Sequence, residues 1–239
     1  MLDNHNTSSP GSIKEPPMHN RLTTRERILE TSLRLFNEQG YSATSLSEIA
    51  KQAGIAKGNL TYHFATKQAL AIELEQRALA QAMERRKGGS PGLSFVDTYV
   101  ETIWSGLSDW WSYRFLYRDH AQYQDDVVHQ QPSQPMNADI QKIHASLQKM
   151  AAKSMLQTGY VPDLQVLART LFMVTRFWLD HLRETEGHVE FSTEDQRRGL
   201  EHHFAVLLPN LTAGARRQFE AALDRLTTVS VPRTGEKRR

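Results

Sequence analysis

Lys57, Gly58, Asn59, Thr61, Tyr62 and His63 place a cation, a glycine and four short polar tips within seven residues. That set has the chemistry of duplex contact. Lysine offers charge to phosphate or to guanine acceptors, Gly58 lets backbone approach backbone, and the other side chains offer hydrogen-bonding groups. The spacing that would present them is helical. Leu60 and Phe64 lie one turn apart and point inward, which turns Lys57, Gly58, Thr61 and Tyr62 to the opposite side of a helix starting near Ala56. A preceding helix keeps Leu46, Ile49, Ala50 and Ala53 on one face. Ser45 and Glu48 form a capping-box pattern at its start, and Gly54 suits the left-handed residue that ends it. Two short helices joined by a tight turn are the build of a helix-turn-helix reader. The pattern alone also describes a helical hairpin with a solvated polar face.

The flanking elements would hold this pair in place. A helix from Leu22 carries Leu29, Leu33 and Phe36 on one stripe and stops at Gly40. After Thr66 as a cap, a longer helix runs to about Arg86 with Leu70, Leu74, Ala78 and Ala82 aligned, and Gly88-Gly-Ser-Pro-Gly92 breaks it. This is a natural linker helix. Beyond it every strong pattern is helical, with neither period-two alternation nor an internal repeat. One helix takes Phe95 to Trp110, a shorter one Tyr113 to Val128, and another follows Pro135. Residues 163 to 185 carry the longest apolar stripe of the chain. Helices from Thr193 to Leu208 and through Ala215 to Leu226 complete an all-α chain. The expected division is a disordered tail over 1–20, a helix-turn-helix domain over 21–67, a linker helix with a larger helical domain over 68–226, and a disordered basic tail over 227–239.

Composition narrows the function classes. With 239 residues, 39% of them hydrophobic, there is ample material for a core, and zero cysteines excludes disulfides, thiolate metal sites and a cysteine nucleophile. The start lacks the regions of a signal peptide and no run approaches a membrane span, so a cytoplasmic protein is expected. The net charge of +2 does not by itself suggest nucleic acid; between Arg21 and Lys67, however, seven Lys or Arg face four Glu. Ten histidines invite a metal reading, yet no Glu is followed three residues later by His. Asp126-Val-Val-His129 is the nearest match, and adjacent His202 and His203 point to different helix faces. No nucleophile elbow, phosphate loop or dinucleotide fingerprint is present, so neither an enzyme, a cofactor nor a metal is expected.

The run Ile49-Ala-Lys-Gln-Ala-Gly-Ile-Ala-Lys-Gly-Asn-Leu-Thr-Tyr-His-Phe-Ala-Thr-Lys67, preceded by Arg27-Ile-Leu-Glu-Thr-Ser-Leu-Arg-Leu-Phe-Asn-Glu-Gln-Gly-Tyr41, resembles the DNA-binding domain of the tetracycline-repressor (TetR-type) family. The resemblance covers about residues 22 to 85. It implies that Lys57, Gly58 and Asn59 open the recognition helix against base edges or nearby phosphates, and that Tyr62, His63 and Lys67 hold phosphates. It also puts Ser45 on the DNA backbone and Ser47 near the groove. Many members carry tyrosine where this chain has Thr61. The shorter side chain weakens a phosphate contact there and opens one to a thymine methyl. His63 has a second reading, as a structural ring against Phe64.

The resemblance further implies a homodimer, formed where residues 163–185 and 193–208 pair with their copies into four helices. Val166, Thr170, Met173 and Phe177 form a stripe suited to that interface, or to packing inside one subunit. Aromatic residues crowd positions 99 to 123. Trp104, Trp110, Tyr113, Arg114, Tyr117 and His120, closed by Phe172 and Trp178, could line a pocket for a small, largely apolar or aromatic effector with a polar or anionic end; aromatics at this spacing are equally a core. The function implied is a ligand-responsive transcription regulator, most readily a repressor that binds a palindromic double-stranded DNA operator and is released by a small-molecule inducer. The rival is a helical small-molecule-binding or scaffolding protein that does not touch DNA.

Overall fold

The computed structural model describes residues 22–87, 92–123, 134–157 and 163–230. The expected tail over 1–20, the Gly88–Pro91 break, Gly159 and Pro162 therefore lie outside the described residues. The chain is all α: α1 Thr24–Gln39, α2 Leu46–Gln52, α3 Lys57–His63, α4 Lys67–Lys87, α5 Phe95–Ser112, α6 Arg114–Arg118, α7 His120–Tyr123, α8 Gln134–Ala152, α9 Leu164–Glu184, α10 Thr193–Leu207 and α11 Ala213–Ser230, with a 3-10 turn at Leu208–Asn210 before α11. Among the described residues the extended pairing is a single bridge between Leu156 and Leu211.

Local chemistry sets the boundaries. Helix α1 starts after Thr23, whose hydroxyl accepts from the Glu26 amide (3.2 Å) while the Glu26 carboxylate accepts from the Thr23 amide (2.8 Å). At α2 only half of the expected capping box forms. Ser45 accepts from the Glu48 amide, but the Glu48 carboxylate turns along the helix to Gln52. The single helix expected over Tyr113 to Val128 is instead two short ones, broken at Asp119, and its end lies outside the described residues. The 226/227 boundary also moves, because α11 continues to Ser230.

Two cores result. The head core joins Ile28, Leu35 and Phe36 of α1 with Ile49 of α2, Leu60 of α3, and Leu70 and Leu74 of α4. It also takes Phe115, Leu116 and Tyr123, so α6 and α7 belong to the head's packing although they follow α5 in the chain. A boundary at 67/68 thus divides the chain but not the core. The second core is built from α5, α8, α9, α10 and α11.

A polar clamp fastens the head. The Arg118 guanidinium donates to the carbonyls of Phe36 (2.7 Å) and Asn37 (3.2 Å) at the C-terminal end of α1, where a cation complements the unpaired carbonyls. It also pairs with Asp119 (2.7 Å), whose carboxylate accepts from the Tyr41 amide (2.9 Å). Asn37 closes the set, donating to Ser112 O (2.8 Å) and accepting from the Phe115 amide (3.1 Å).

In the second core the Trp178 ring packs directly against Gly199. A methyl group there would come within 2.6 Å of the indole, while Trp178 Nε1 donates to Asp195 O (2.9 Å). Gly199→Ala should therefore force α9 and α10 apart at a fixed ring, costing about 1–3 kcal/mol. Urea denaturation reads this directly, and an unchanged midpoint would contradict the packing.

His203 is fully buried between Tyr99 and Thr175. The Thr175 hydroxyl donates its one hydrogen to Leu171 O (2.7 Å), so it accepts from His203 Nδ1–H, and Nε2 accepts from Tyr99 O–H. The ring is a neutral spacer, and burial pushes its pKa down to about 3. Since the unfolded value lies near 6.5, the stability His203 contributes is complete above that pH. It drains away as pH falls from about 6.5 toward 3, because only the unfolded chain binds the proton there, at roughly 1 kcal/mol per pH unit. Denaturation at pH 7 and pH 5 should show a larger loss for the native chain than for His203→Gln; equal losses would contradict the assignment.

Candidate functional site

The turn between α2 and α3 is set by Gly54, at φ +67°, a left-handed conformation that a side chain would strain. The Gly54 amide bonds Lys51 O (3.1 Å) and the Ile55 amide bonds Ala50 O (3.0 Å), which ends α2 and swings the chain into α3. Leu60 (0% exposed) and Phe64, the residue that ends α3, anchor the second helix inward. Lys57, Gly58 and Asn59 are exposed on its outer side, and Tyr62 stands 85% exposed. An exposed tyrosine on this face offers both a ring and a hydroxyl to whatever approaches it.

Gly58 is informative for a different reason. A methyl group at that position would meet nothing within 4 Å. Glycine inside a helix costs about 1 kcal/mol relative to alanine, and no contact within the chain requires it. The open space faces outward, where a second molecule can come close to the backbone.

The polar groups around this face divide clearly. Ser45 and Ser47 are exposed at the start of α2. Thr61 is half-buried and its hydroxyl donates to Gly58 O (3.1 Å), so that hydrogen is already spent within the helix. The His63 ring meets Tyr62 edge-on at 5.4 Å, so its aromatic neighbour is Tyr62 where Phe64 was the structural alternative. Lys67 departs from expectation. Its ammonium donates to Tyr41 O (2.7 Å), Thr44 O (2.9 Å) and Ser42 O (3.3 Å) and lies 4.3 Å from the Tyr41 ring centre. All three donors are spent on the loop before α2, so Lys67 braces α2 and is not an open phosphate ligand. Partial burial lowers its pKa. Arg25 and Arg34 are paired with Glu73 (2.9 Å) and Glu38 (3.0 Å). Lys51 and Lys57 have no acidic partner within 4 Å among the described residues, which leaves the α2–α3 face with unneutralised positive charge.

A cavity of about 560 Å³ opens behind the head, between α4, α5, α6 and α8. Its apolar wall is Ala78, Leu79, Ala82, Ile103 and Leu116, and Trp110, Tyr113 and Tyr117 are its aromatic lining. Hydrogen bonds fix two of those rings: Trp110 Nε1 donates to Asp139 (3.2 Å) and the Tyr113 hydroxyl to Gln81 (2.9 Å). Burial, reinforced by the Asp139 charge, holds the Tyr117 hydroxyl well above its ordinary pKa. Size and lining suit a small organic molecule.

Residues 28–74 match the family model for bacterial regulatory proteins of the tetR family, and residues 74–219 match that for a bacterial transcriptional repressor. The chain belongs to the tetR family. Among curated relatives, the tetR-family chain is 26% identical over 163 residues to the uncharacterized HTH-type transcriptional regulator YerO of Bacillus subtilis, covering 61% of this chain and 52% of that protein. It is 51% identical over 51 residues to the HTH-type transcriptional regulator AcrR of Shigella flexneri, covering 21% and 24%. The matched region thus spans about half or less of these relatives' own length. A TetR-family regulator from Marinobacter aquaeolei superimposes with a TM-score of 0.70 at 24% identity, covering 85% of this chain and 98% of the other, which shows the shared fold. The stretch matched by the first of these models contains α2, α3 and the Gly54 turn between them.

Within this tetR-family chain the structure gathers only part of the expected pocket. Trp110, Tyr113 and Tyr117 line the cavity, and Phe172 stands behind the wall, edge-on to Trp110 at 5.7 Å. Four others are elsewhere. Trp104 packs on the second core, Trp178 is held between α9 and α10, and His120 lies against Tyr123, where burial lowers its pKa. Arg114 sits over the Trp111 ring (4.7 Å) and borders only an adjoining crevice of about 10 Å³, room for at most one water. The expected anionic end of the effector thereby loses its arginine and histidine readers.

Sequence reasoning missed most of the α4 side of the cavity, namely Glu75, Leu79 and Arg85, and Asp139 and Lys142 of α8. A signal existed: Glu75 and Leu79 stand at i and i+4 on a helix read only for its Leu70–Leu74–Ala78–Ala82 stripe. The Arg118–Asp119 clamp had no comparable signature.

Proposed function

We propose that this chain is a homodimeric, ligand-responsive repressor of the cytoplasm that binds a palindromic operator through α3 and releases it when a small molecule enters the α4–α5–α6–α8 cavity. The observation that carries the reading is the outer face of α3, where Tyr62 is exposed, Gly58 has open space and Lys57 has no acidic partner among the described residues. Lys57, Gly58 and Asn59 would meet base edges or adjacent phosphates, Tyr62 and His63 phosphates, the Thr61 methyl a thymine, and Ser45 and Ser47 the backbone flanking the groove. Its chemistry is recognition, and no reaction on the effector is required.

The dimer reading rests on α9. Val166, Met173 and Phe177 are 50%, 48% and 64% exposed, and with Thr170 they form one continuous row facing away from the subunit's own core. Pairing that row with its copy, alongside α10, would bury the half that is still exposed, worth about 1–1.5 kcal/mol per large side chain. It would also hold two copies of α3 for successive major grooves, about 34–36 Å apart.

Effector and operator would communicate through two helices. Helix α4 places Leu70 and Leu74 in the head core and Leu79 and Ala82 at the cavity; α6 places Phe115 in the head core and Tyr117 at the cavity. A molecule that favours one spacing of these helices shifts operator affinity by its differential affinity for the two arrangements.

The interface supplies the test. Met173→Glu with Phe177→Glu should leave helicity intact, sediment as a monomer at micromolar concentration, and lose most affinity for a full palindrome. A dimer that survives both substitutions would overturn the placement of the interface.

A further inference from the structure

We propose that the cavity takes a cation, a protonated or quaternary amine on a small aromatic or apolar body, with Glu75 as its counter-charge. The inference rests on the reading of this cavity as the effector site and gives that effector a chemical class.

Four carboxylates and two bases line the cavity: Glu75, Glu101, Asp109 and Asp139 against Arg85 and Lys142. Both bases are already engaged. Arg85 pairs with Asp109 at 2.5 Å and Lys142 with Asp139 at 2.7 Å. The lining charge left over is that of Glu75 and Glu101, both negative. Glu101 is exposed at the rim, where water screens it. Glu75 is half-buried partway along α4 and has neither a hydrogen bond nor an ion pair among the described residues. Burial raises its carboxyl pKa, and its negative charge in turn contributes to raising that of the Tyr123 hydroxyl. A carboxylate held in that setting has lost part of its hydration without gaining a partner.

The remaining wall suits the same ligand. Trp110, Tyr113 and Tyr117 line the same void, and aromatic rings attract cations most strongly where water is displaced. An anionic ligand would meet an excess of negative charge with no free base to receive it. A neutral one would desolvate Glu75 further and offer nothing in return. Only a cation gains from both the carboxylate and the rings. Glu75 also follows Leu74 of the head core directly, so a charge drawn to it acts on the helix that carries the head.

Three probes sharing one aromatic body separate charge from shape: 2-naphthylmethylammonium, 2-naphthylmethanol and 2-naphthoate, each titrated calorimetrically into the full chain at pH 7. The ammonium should bind at least roughly tenfold tighter than the alcohol, with the carboxylate weakest. In Glu75→Gln, which keeps the size of the side chain, the ammonium-to-alcohol ratio should fall to about one while the alcohol's affinity changes little. A loss of packing would weaken both probes together and leave that ratio alone. If 2-naphthoate binds as tightly as the ammonium, the charge assignment is overturned while the cavity stands as a small-molecule site. A cation preference that persists in Glu75→Gln overturns the role of Glu75. Failure of all three to bind overturns this inference and the effector reading of the cavity together.

Discussion

Replacing Lys57 and Tyr62 together by alanine is expected to lower operator affinity by at least about 2–6 kcal/mol for the dimer, roughly 30-fold to 10⁴-fold, with no loss of folding or dimerisation. The magnitude follows from about 1–3 kcal/mol per half-site for a side chain that reads or grips the duplex, doubled by symmetry. The fold should tolerate the change because Tyr62 is 85% exposed and Lys57 makes no ion pair among the described residues. Fluorescence anisotropy at two salt concentrations would locate the lost contacts. If Lys57 neutralises a phosphate, the salt slope should drop by about one per subunit; if it reads a guanine, affinity falls and the slope stays nearer its original value. A folded double variant that binds as before would mean that α3 is not the reading helix.

Arg118→Ala should be the most damaging single change at the junction of the two cores. Its loss uncaps the C-terminal carbonyls of α1 and leaves the Asp119 carboxylate, 4% exposed, with the Tyr41 amide but no cation. Removing one partner of such a pair costs about 3–5 kcal/mol when fully buried, and Arg118 is partly exposed, so about 2–4 kcal/mol is expected. The double variant Arg118→Ala with Asp119→Ala separates charge from geometry. It should recover part of the loss, because the uncompensated carboxylate is gone. Urea titration of the single and double variants checks this; a double variant that loses the sum of the two single effects would contradict the clamp.

The head was legible because its rules are local. The Leu46–Ile49–Ala50 face, the Gly54 turn and the Leu60–Phe64 anchor each follow from helical periodicity or a backbone requirement within a few residues. The free row on α9 was legible for the same reason, since Val166, Met173 and Phe177 are out of phase with the stripe through Leu167, Leu171 and Trp178. The cavity was not. Its walls come from four helices far apart in sequence, and aromatic density around 99–123 says nothing about which rings face a void and which fill a core. Trp178 is fixed by the absence of a side chain at Gly199, and Phe115 and Tyr123 by their reach into the head. Lys67 illustrates the same limit. A lysine after a DNA-reading helix looks like a phosphate ligand until three carbonyls of the 41–44 loop are found within its reach.

The central claim is that two copies of α3, held by one dimer, read a symmetric duplex. Selection of bound sites from a random duplex pool with the full chain tests it most directly. The expected result is an inverted repeat whose half-sites are centred about one helical turn apart or a multiple of it. Recovery of no enriched sequence, or of a single unpaired half-site, would contradict it.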